Sequence, residues 1–500
     1  MKLNVKSKNF RIILFSVIGL AVLGLVVLLL SLTAPSEGEE EEAATTTSTI
    51  DPALVLQPED KGDIVSITLE NTLGSFTARL HDHDGDSHWI IDELDVNEAL
   101  LSQTMLESLA ATVSNMTARS VIEENPTDLA QYGLDKPQAT VTVNYTDGSF
   151  VMKIGDVVTS GSANYIMIND DPTVYSYYTY EITGLMTYDS LSMISTAVMP
   201  TYDNEAAPRI KKITVTRKDL EKPIILEALP EVPEGSDSIQ VYSYAFTSPG
   251  DVYLDLYTGT EYLYAMFGLS AQKAAYIEDT DETRAATGLD DPFCEVDMLV
   301  EDVIYRLYIG NAITEETVDE ETGITSTEVT GYYGISNKVP GMIYIFNASD
   351  LVWATMEPDA YMSALFLVPY IYDIDTVSYH DNDVAFTVTI TGNNDENAMY
   401  MDGEEIDASL FRTFYQFLVS CRGEEMYTDE ARGDFIAEFT YKYEDDRGDD
   451  TVTFYSSDED RTVIIAINGN NVFKTKWNYG VRLLENAQAF ISGGEIVQTY

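Results

Sequence analysis

The sequence predicts an α+β protein: an N-terminal transmembrane helix followed by tandem antiparallel β-rich repeats, each with one packing helix. Three observations predict this. Short segments alternate apolar and polar residues with a period of two and end in Gly, Asn, Asp or Pro. Apolar residues spaced by three and four precede some of these segments, as on one helix face. A Gly-Leu-Asp-x-Pro motif at Gly133 returns 155 residues later at Gly288, which marks an internal duplication.

The elements follow in chain order. Ile12 to Leu32 is an uncharged run of 21 residues rich in Leu, Val and Ile. About 20 apolar residues suffice to cross the hydrocarbon layer. Lys2, Lys6, Lys8 and Arg11 precede the run, and Glu37 and Glu39 to Glu42 follow it. The positive-inside rule then leaves residues 1–11 in the cytoplasm and everything after Thr33 outside. A cleaved signal peptide is the competing reading, but its apolar region is shorter, and here Leu32 would occupy the small-residue position before Ala34. The segment is therefore expected to remain as a single-pass anchor to the cell membrane. Residues 33–60, with a Glu run and Ala-Ala-Thr-Thr-Thr-Ser-Thr, hold too few apolar groups to order themselves and form a linker. The body then divides into repeats over residues 61–205, 206–372 and 373–500.

In the first repeat, Leu106, Leu109, Val113 and Met116 form a helix stripe after Asn97. Val141, Val143 and Tyr145 alternate with Thr140, Thr142 and Asn144 as in a half-buried strand, and Asp147-Gly148 supplies the turn that follows. Further strands are expected at Phe150–Ile154, Tyr165–Ile168 and Thr173–Tyr177. Gly133 fits a turn end that requires positive φ, Leu134 plugs the core, and Pro137 directs the chain into a strand. Gly155 repeats as Gly310, and Leu289 and Pro292 complete the second motif around Gly288. The second repeat's helix, near Val252–Phe267, is broken by Gly259, and a Glu- and Thr-rich insertion from Thr314 to Thr330 is expected as an exposed loop. In the third repeat, Ala437, Asp445 and Val472 stand 298 residues after Ala139, Asp147 and Val174, without the turn motif. Its helix stripe is Leu410, Phe414, Phe417 and Cys421. Each repeat should thus hold a leading hairpin, one packing helix, a sheet and a short closing helix.

The run Asp128-Leu129-Ala130-Gln131-Tyr132-Gly133-Leu134-Asp135-Lys136-Pro137-Gln138-Ala139-Thr140-Val141, followed by Ile154-Gly155, Tyr165 and Val174-Tyr175, resembles the bacterial family of unknown function DUF4340. Trp89 before the first helix fits the same pattern. The resemblance covers about residues 60 to 370 and, more loosely, the rest. It implies an extracytoplasmic accessory of an ABC-type transport system of the gliding-motility kind, with permease or accessory subunits as partners. It brings no catalytic residues.

Composition narrows the chemistry. The 84 acidic and 28 basic residues give a net charge of −56, which repels phosphate backbones and anionic lipid and so excludes nucleic acid. Cys294 and Cys421 sit among apolar neighbours and read as buried thiols. Three of the four histidines lie in His81-Asp82-His83-Asp84-Gly85-Asp86-Ser87-His88. His81, His83 and Asp84 are the candidates for a metal site, since alternate strand residues share a face and imidazole binds zinc. Asp82, Asp84, Asp86 and Glu93 also take calcium-loop offsets, but Ser87 stands where that loop needs Gly. The reading adopted is a hairpin with Asp84-Gly85 as its turn and Trp89 in the core. No catalytic, cofactor-binding or metal residue is assigned. The function expected is a non-catalytic scaffold of an ABC-type transport complex. The alternative is a glycan- or surface-polymer-binding module, to which the 33 tyrosines lend stacking surfaces, and the third reading is an acidic hydrolase.

Overall fold

The computed structural model describes residues 52–57, 61–83, 86–169, 171–203, 207–231, 240–318, 325–357, 359–392, 397–443, 448–457 and 461–500, with the backbone alone at 52, 83 and 86. The anchor and most of the linker expected from the sequence lie outside these residues. Among the described residues, no helix is long and apolar enough to cross a membrane.

The first sheet holds β1 (Ile64–Asn71), β2 (Gly74–His83), β3 (Asp86–Ile91), β4 (Ser120–Glu123), β5 (Ala139–Tyr145), β6 (Gly148–Val157), β7 (Ala163–Ile168) and β8 (Val174–Tyr178). Their spatial order is β3-β2-β1-β5-β6-β7-β8-β4, with every pair antiparallel. β5 realises the alternation in its sequence: Ala139, Val141, Val143 and Tyr145 are buried, and the residues between them are half-buried. Helix α1 (Gln103–Thr112) packs on the same face. Ser102 caps it by accepting from the Met105 N–H, and it buries Leu106 and Leu109. The helix stops before the end of its stripe, but Val113 and Met116 are buried all the same. Helix α2 (Thr179–Thr187) closes the unit.

The second sheet repeats this plan. It comprises β9 (Ile210–Arg217), β10 (Ile224–Ala228), β11 (Tyr244–Ser248), β12 (Val252–Tyr253), β13 (Lys273–Tyr276), β14 (Cys294–Val300), β15 (Val303–Val318), β16 (Thr325–Ser336) and β17 (Ile343–Asn347). The order is β12-β11-β10-β9-β14-β15-β16-β17-β13. Helix α3 (Gly259–Tyr264) follows the leading strands, α4 (Asp281–Thr287) carries the turn motif, and α5 (Val352–Thr355) closes the unit.

The third sheet comprises β18 (Ile374–Asp381), β19 (Ala385–Thr391), β20 (Ala398–Met401), β21 (Glu404–Glu405), β22 (Glu425–Met426), β23 (Phe435–Tyr443), β24 (Asp450–Ser456), β25 (Thr462–Ile467) and β26 (Asn470–Lys476). Its order, β21-β20-β19-β18-β23-β24-β25-β26-β22, matches the second strand for strand. Even the irregularities recur: a register shift follows Ile64 in β1 and Ile374 in β18, where each strand leaves its partner. Helix α6 (Ala408–Val419) packs on this sheet, and α7 (Trp477–Ile491) closes it.

Four expectations need correction. Gly259 does not break the second packing helix but begins it, where a Cβ would run into Leu254, and Val252-Tyr253 is strand. The described flanks of the 314–330 insertion are strand and not loop: β15 continues to Val318 and β16 begins at Thr325, so Thr314–Val318 and Thr325–Val329 pair with each other as an exposed ribbon. Cys421 is buried but lies beyond the end of α6 at Ser420, and Leu410 is only half-buried, because the buried face is rotated toward Phe411 and Leu418. The third closing helix is not short, at 15 residues.

The units are joined through their connectors. After α2, Ile194 pairs with Leu101 just before α1, and in the second unit Met362 pairs with Leu254 just before α3. Ser336 Oγ donates to Val198 O at 3.0 Å and Gly423 N–H to Ala364 O at 2.9 Å, tying the first unit to the second and the second to the third. Leu56–Tyr500 hold together as one unit on this account.

Candidate functional site

The turn motif takes the same geometry in both of its copies. The chain before Gly133 makes a short 3-10 turn, Ala130–Tyr132, and before Gly288 it makes α4. Both glycines take the left-handed conformation, at φ 69° and 72°. Leu134 N–H then reaches back to Leu129 O at 3.1 Å, and Leu289 N–H to Arg284 O at 2.8 Å, the five-residue return bond of a glycine helix stop. Leu134 enters a cluster with Tyr132, Met167 and Val174, and Leu289 one with Ile335 and Ile343. These clusters lie across the sheet from the packing helix, since Gly155, against Leu134, follows the helix-side Ile154 by one pleat. Pro137 and Pro292 each stand two residues before a strand, β5 and β14. The motif therefore covers the second face of the first and second sheets.

One pair escaped the sequence reading. Asp156 packs against Gly133, and Asn311, at the same 155-residue offset, packs against Gly288. The signal was present as the third residue of Ile154-Gly155-Asp156 and Ile309-Gly310-Asn311.

The histidine segment forms the β2–β3 hairpin, paired as far as His83 with Asp86. His81 and His88 are cross-strand partners whose rings meet edge to face at 5.4 Å. His88 Nε2 lies 2.8 Å from Glu98 Oε2. Trp89 is buried, and its backbone exchanges two hydrogen bonds with the Gln103 amide at the start of α1. Asp84, and the His83 side chain, lie outside the described residues. Among the described residues, no group of three or more His, Cys, Asp or Glu is placed to hold a metal ion.

Both thiols are withdrawn from solvent. Cys294 is buried in β14, and desolvation pushes its thiol up to about 12. Burial raises Cys421 as well. Neither is disulfide-bonded.

Two clefts open on the third unit. The first, about 460 Å³, is lined by polar groups including Arg432 and Lys474. Arg432 donates to Asn471 Oδ1 at 2.8 Å and stacks on Tyr455, while Lys474 lies 4.4 Å over the Tyr427 ring. Both cations are thus held within the fold. The second cleft, about 570 Å³, runs along the outer face of α7. Trp477, Val481 and Leu484 form its floor and are 40%, 40% and 38% exposed. Phe435 and Ile436 at the start of β23 line it too, as do Asp381, Asp383 and Val384 from the β18–β19 turn. Glu485 and Gln488 complete the lining from α7 itself. The inner face of α7 buries Tyr479, Leu483, Ala487 and Phe490. The helix is therefore apolar on two faces, which the sequence reading did not separate. The missed signal is the spacing Trp477, Val481, Leu484, Ile491.

Fold and sites together define a tandem α+β protein whose marked residues serve turns and cores. Residues 97–228 match the family model of DUF4340, a domain of unknown function, as the motif around Gly133 led us to expect. Neither the curated proteins nor the solved structures include a match to the chain.

Proposed function

We propose that this protein is a membrane-anchored, extracytoplasmic, non-catalytic scaffold that serves as an accessory to an ABC-type transport complex. The observation that carries the reading is the use of one sheet plan three times, with the DUF4340 signature residues committed to stopping helices and covering sheet faces. Three such units held in one compact body offer broad surface, which suits holding partners. The uncharged run Ile12–Leu32 supports the anchor, with the body outside the cytoplasm.

The test is affinity purification of the full chain from detergent-solubilised native membranes, with identification of co-purifying subunits. The expected result is a permease and its ATPase in stoichiometric amounts. Retention on cell-wall polymer with no such subunits would replace this reading by envelope-polymer binding. Amino-terminal sequencing checks the anchor, because a mature end near Ala34 or Pro35 would remove it.

A further inference from the structure

We infer that the outer face of α7 is a docking groove for a basic, amphipathic helical segment of a partner protein. The inference rests on the scaffold reading only in requiring a partner, and not on which complex supplies it. Trp477, Val481, Leu484 and Ile491 are the apolar residues of one exposed stripe, separated by four, three and seven positions. At 1.5 Å per residue the stripe runs roughly 20 Å, long enough to seat about four turns of a second helix. Each of the four leaves about two-fifths of its surface open, while the inner face of the same helix is fully packed. The stripe is thus surplus to the core. The cleft beside it gives it a second wall, made by Phe435, Ile436 and Val384.

Charge selects the occupant. Asp381 and Asp383 set two carboxylates on the groove, Glu485 adds a third that Arg482 already pairs, and no Lys or Arg is among the described residues lining it. Asp381 already accepts from the Asp383 and Val384 N–H groups and from the Tyr379 hydroxyl, which hold its carboxylate in place. Arg482 neighbours the groove but is paired with Glu485 at 2.6 Å and donates to Thr499 O. His380 stacks on Phe435 at 5.3 Å and faces Glu438 at 3.9 Å. A second copy of this chain, itself at −56 overall, would set the same carboxylates against each other, and anionic lipid is repelled alike. A helix with apolar residues at spacings of three and four and Lys or Arg on its flanks satisfies both the floor and the rim.

The probe is a 14-residue amphipathic peptide of Leu and Lys, titrated by fluorescence anisotropy against the full chain in zwitterionic nanodiscs, with empty discs subtracted. Its counterpart of Leu and Glu is titrated in parallel. The expected result is binding of the Leu/Lys peptide alone, weakened by salt. The double variant Val481→Ser/Leu484→Ser should lose about tenfold in affinity while its melting midpoint stays near that of the parent. Asp383→Asn, which leaves the apolar floor intact, should weaken binding several-fold. Equal binding of the Leu/Glu peptide overturns the charge selection. Unchanged affinity of the double variant reduces the effect to general attraction and overturns the groove. Self-association of the chain that the double variant abolishes would assign the face to a second copy instead. Loss of the co-purifying transporter subunits would leave these outcomes untouched, so the two readings fail separately.

Discussion

Gly155 in β6 faces the carbonyl oxygen of Tyr132 so closely that any Cβ there would lie under 3.0 Å from it, and Gly310 faces Thr287 in the same way. In both units a backbone atom, not a flexible side chain, fills the space, so the neighbour cannot simply swing aside. Gly155→Ala and Gly310→Ala should each cost about 1–3 kcal/mol, as overpacking of a close backbone approach does. Chemical denaturation reads this as a lowered midpoint with unchanged slope. A parent-like midpoint in both variants would show that the turn does not seat on the strand.

Gly133 and Gly288 carry a different constraint, positive φ. Valine at either position should cost roughly 1–3 kcal/mol, and asparagine, which tolerates that region, distinctly less. Hydrogen exchange should place the loss of protection of Gly133→Val in β5–β8 and that of Gly288→Val in β14–β17. Uniform loss across all three sheets would mean that the turns act on the whole body.

The thiols offer a chemical check. Burial raises both, Cys294 to about 12, so neither supplies thiolate near neutrality. At pH 8 the folded chain should remain unlabelled by iodoacetamide over an hour, and both cysteines should react once denatured. Rapid labelling of Cys294 in the folded state would contradict its burial in β14.

Alkaline pH should weaken the fold. Tyr262, Tyr441 and Tyr479 are fully buried, and desolvation raises all three well above the ordinary value of 10.0. The folded chain keeps these protons while the unfolded chain releases them. Their contribution is therefore intact below about pH 10 and is lost as pH rises beyond it, on the order of 1 kcal/mol per tyrosine by pH 11. Denaturant midpoints at pH 9 and 11 measure the loss. The Tyr262 hydroxyl has no hydrogen-bond partner among the described residues, so Tyr262→Phe should be nearly neutral at pH 9 and reduce the loss at pH 11. An equal loss in parent and variant would locate the alkaline sensitivity elsewhere.

What the sequence disclosed was what neighbouring residues decide for themselves. The alternation around Val141 and the positive φ at Gly133 are local requirements, and both are met. What escaped depends on partners distant in the chain. Ser120–Glu123 is too short to alternate visibly and becomes strand only because β8 offers it an edge. Glu315 and Glu328 read as loop residues, but β15 and β16 run straight through them and set them directly opposite each other. In α6 the expected stripe finds Phe414 and Phe417 buried but is too narrow, since Phe411 and Leu418 are buried beside them where Leu410 is not, and Phe411 and Phe414 meet the Phe490 ring. On α7 periodicity reveals an apolar stripe but not which of two stripes the body covers. Asp84 and the side chain of His83, both metal candidates, fall outside the described residues, and the His81 ring meets that of His88.

The strand order also sets a timetable. A chain made from its amino terminus completes β1, β2 and β3 early, yet the inner edge of β1 must wait for β5, where Ile67 meets Val143. β4 waits longer, until Tyr175 arrives opposite Val121. The same delay recurs in the second and third units, so every growing chain exposes bare strand edges three times. Edges of this kind seek each other in neighbouring chains. Chains with a net charge of −56 repel one another, which opposes such pairing.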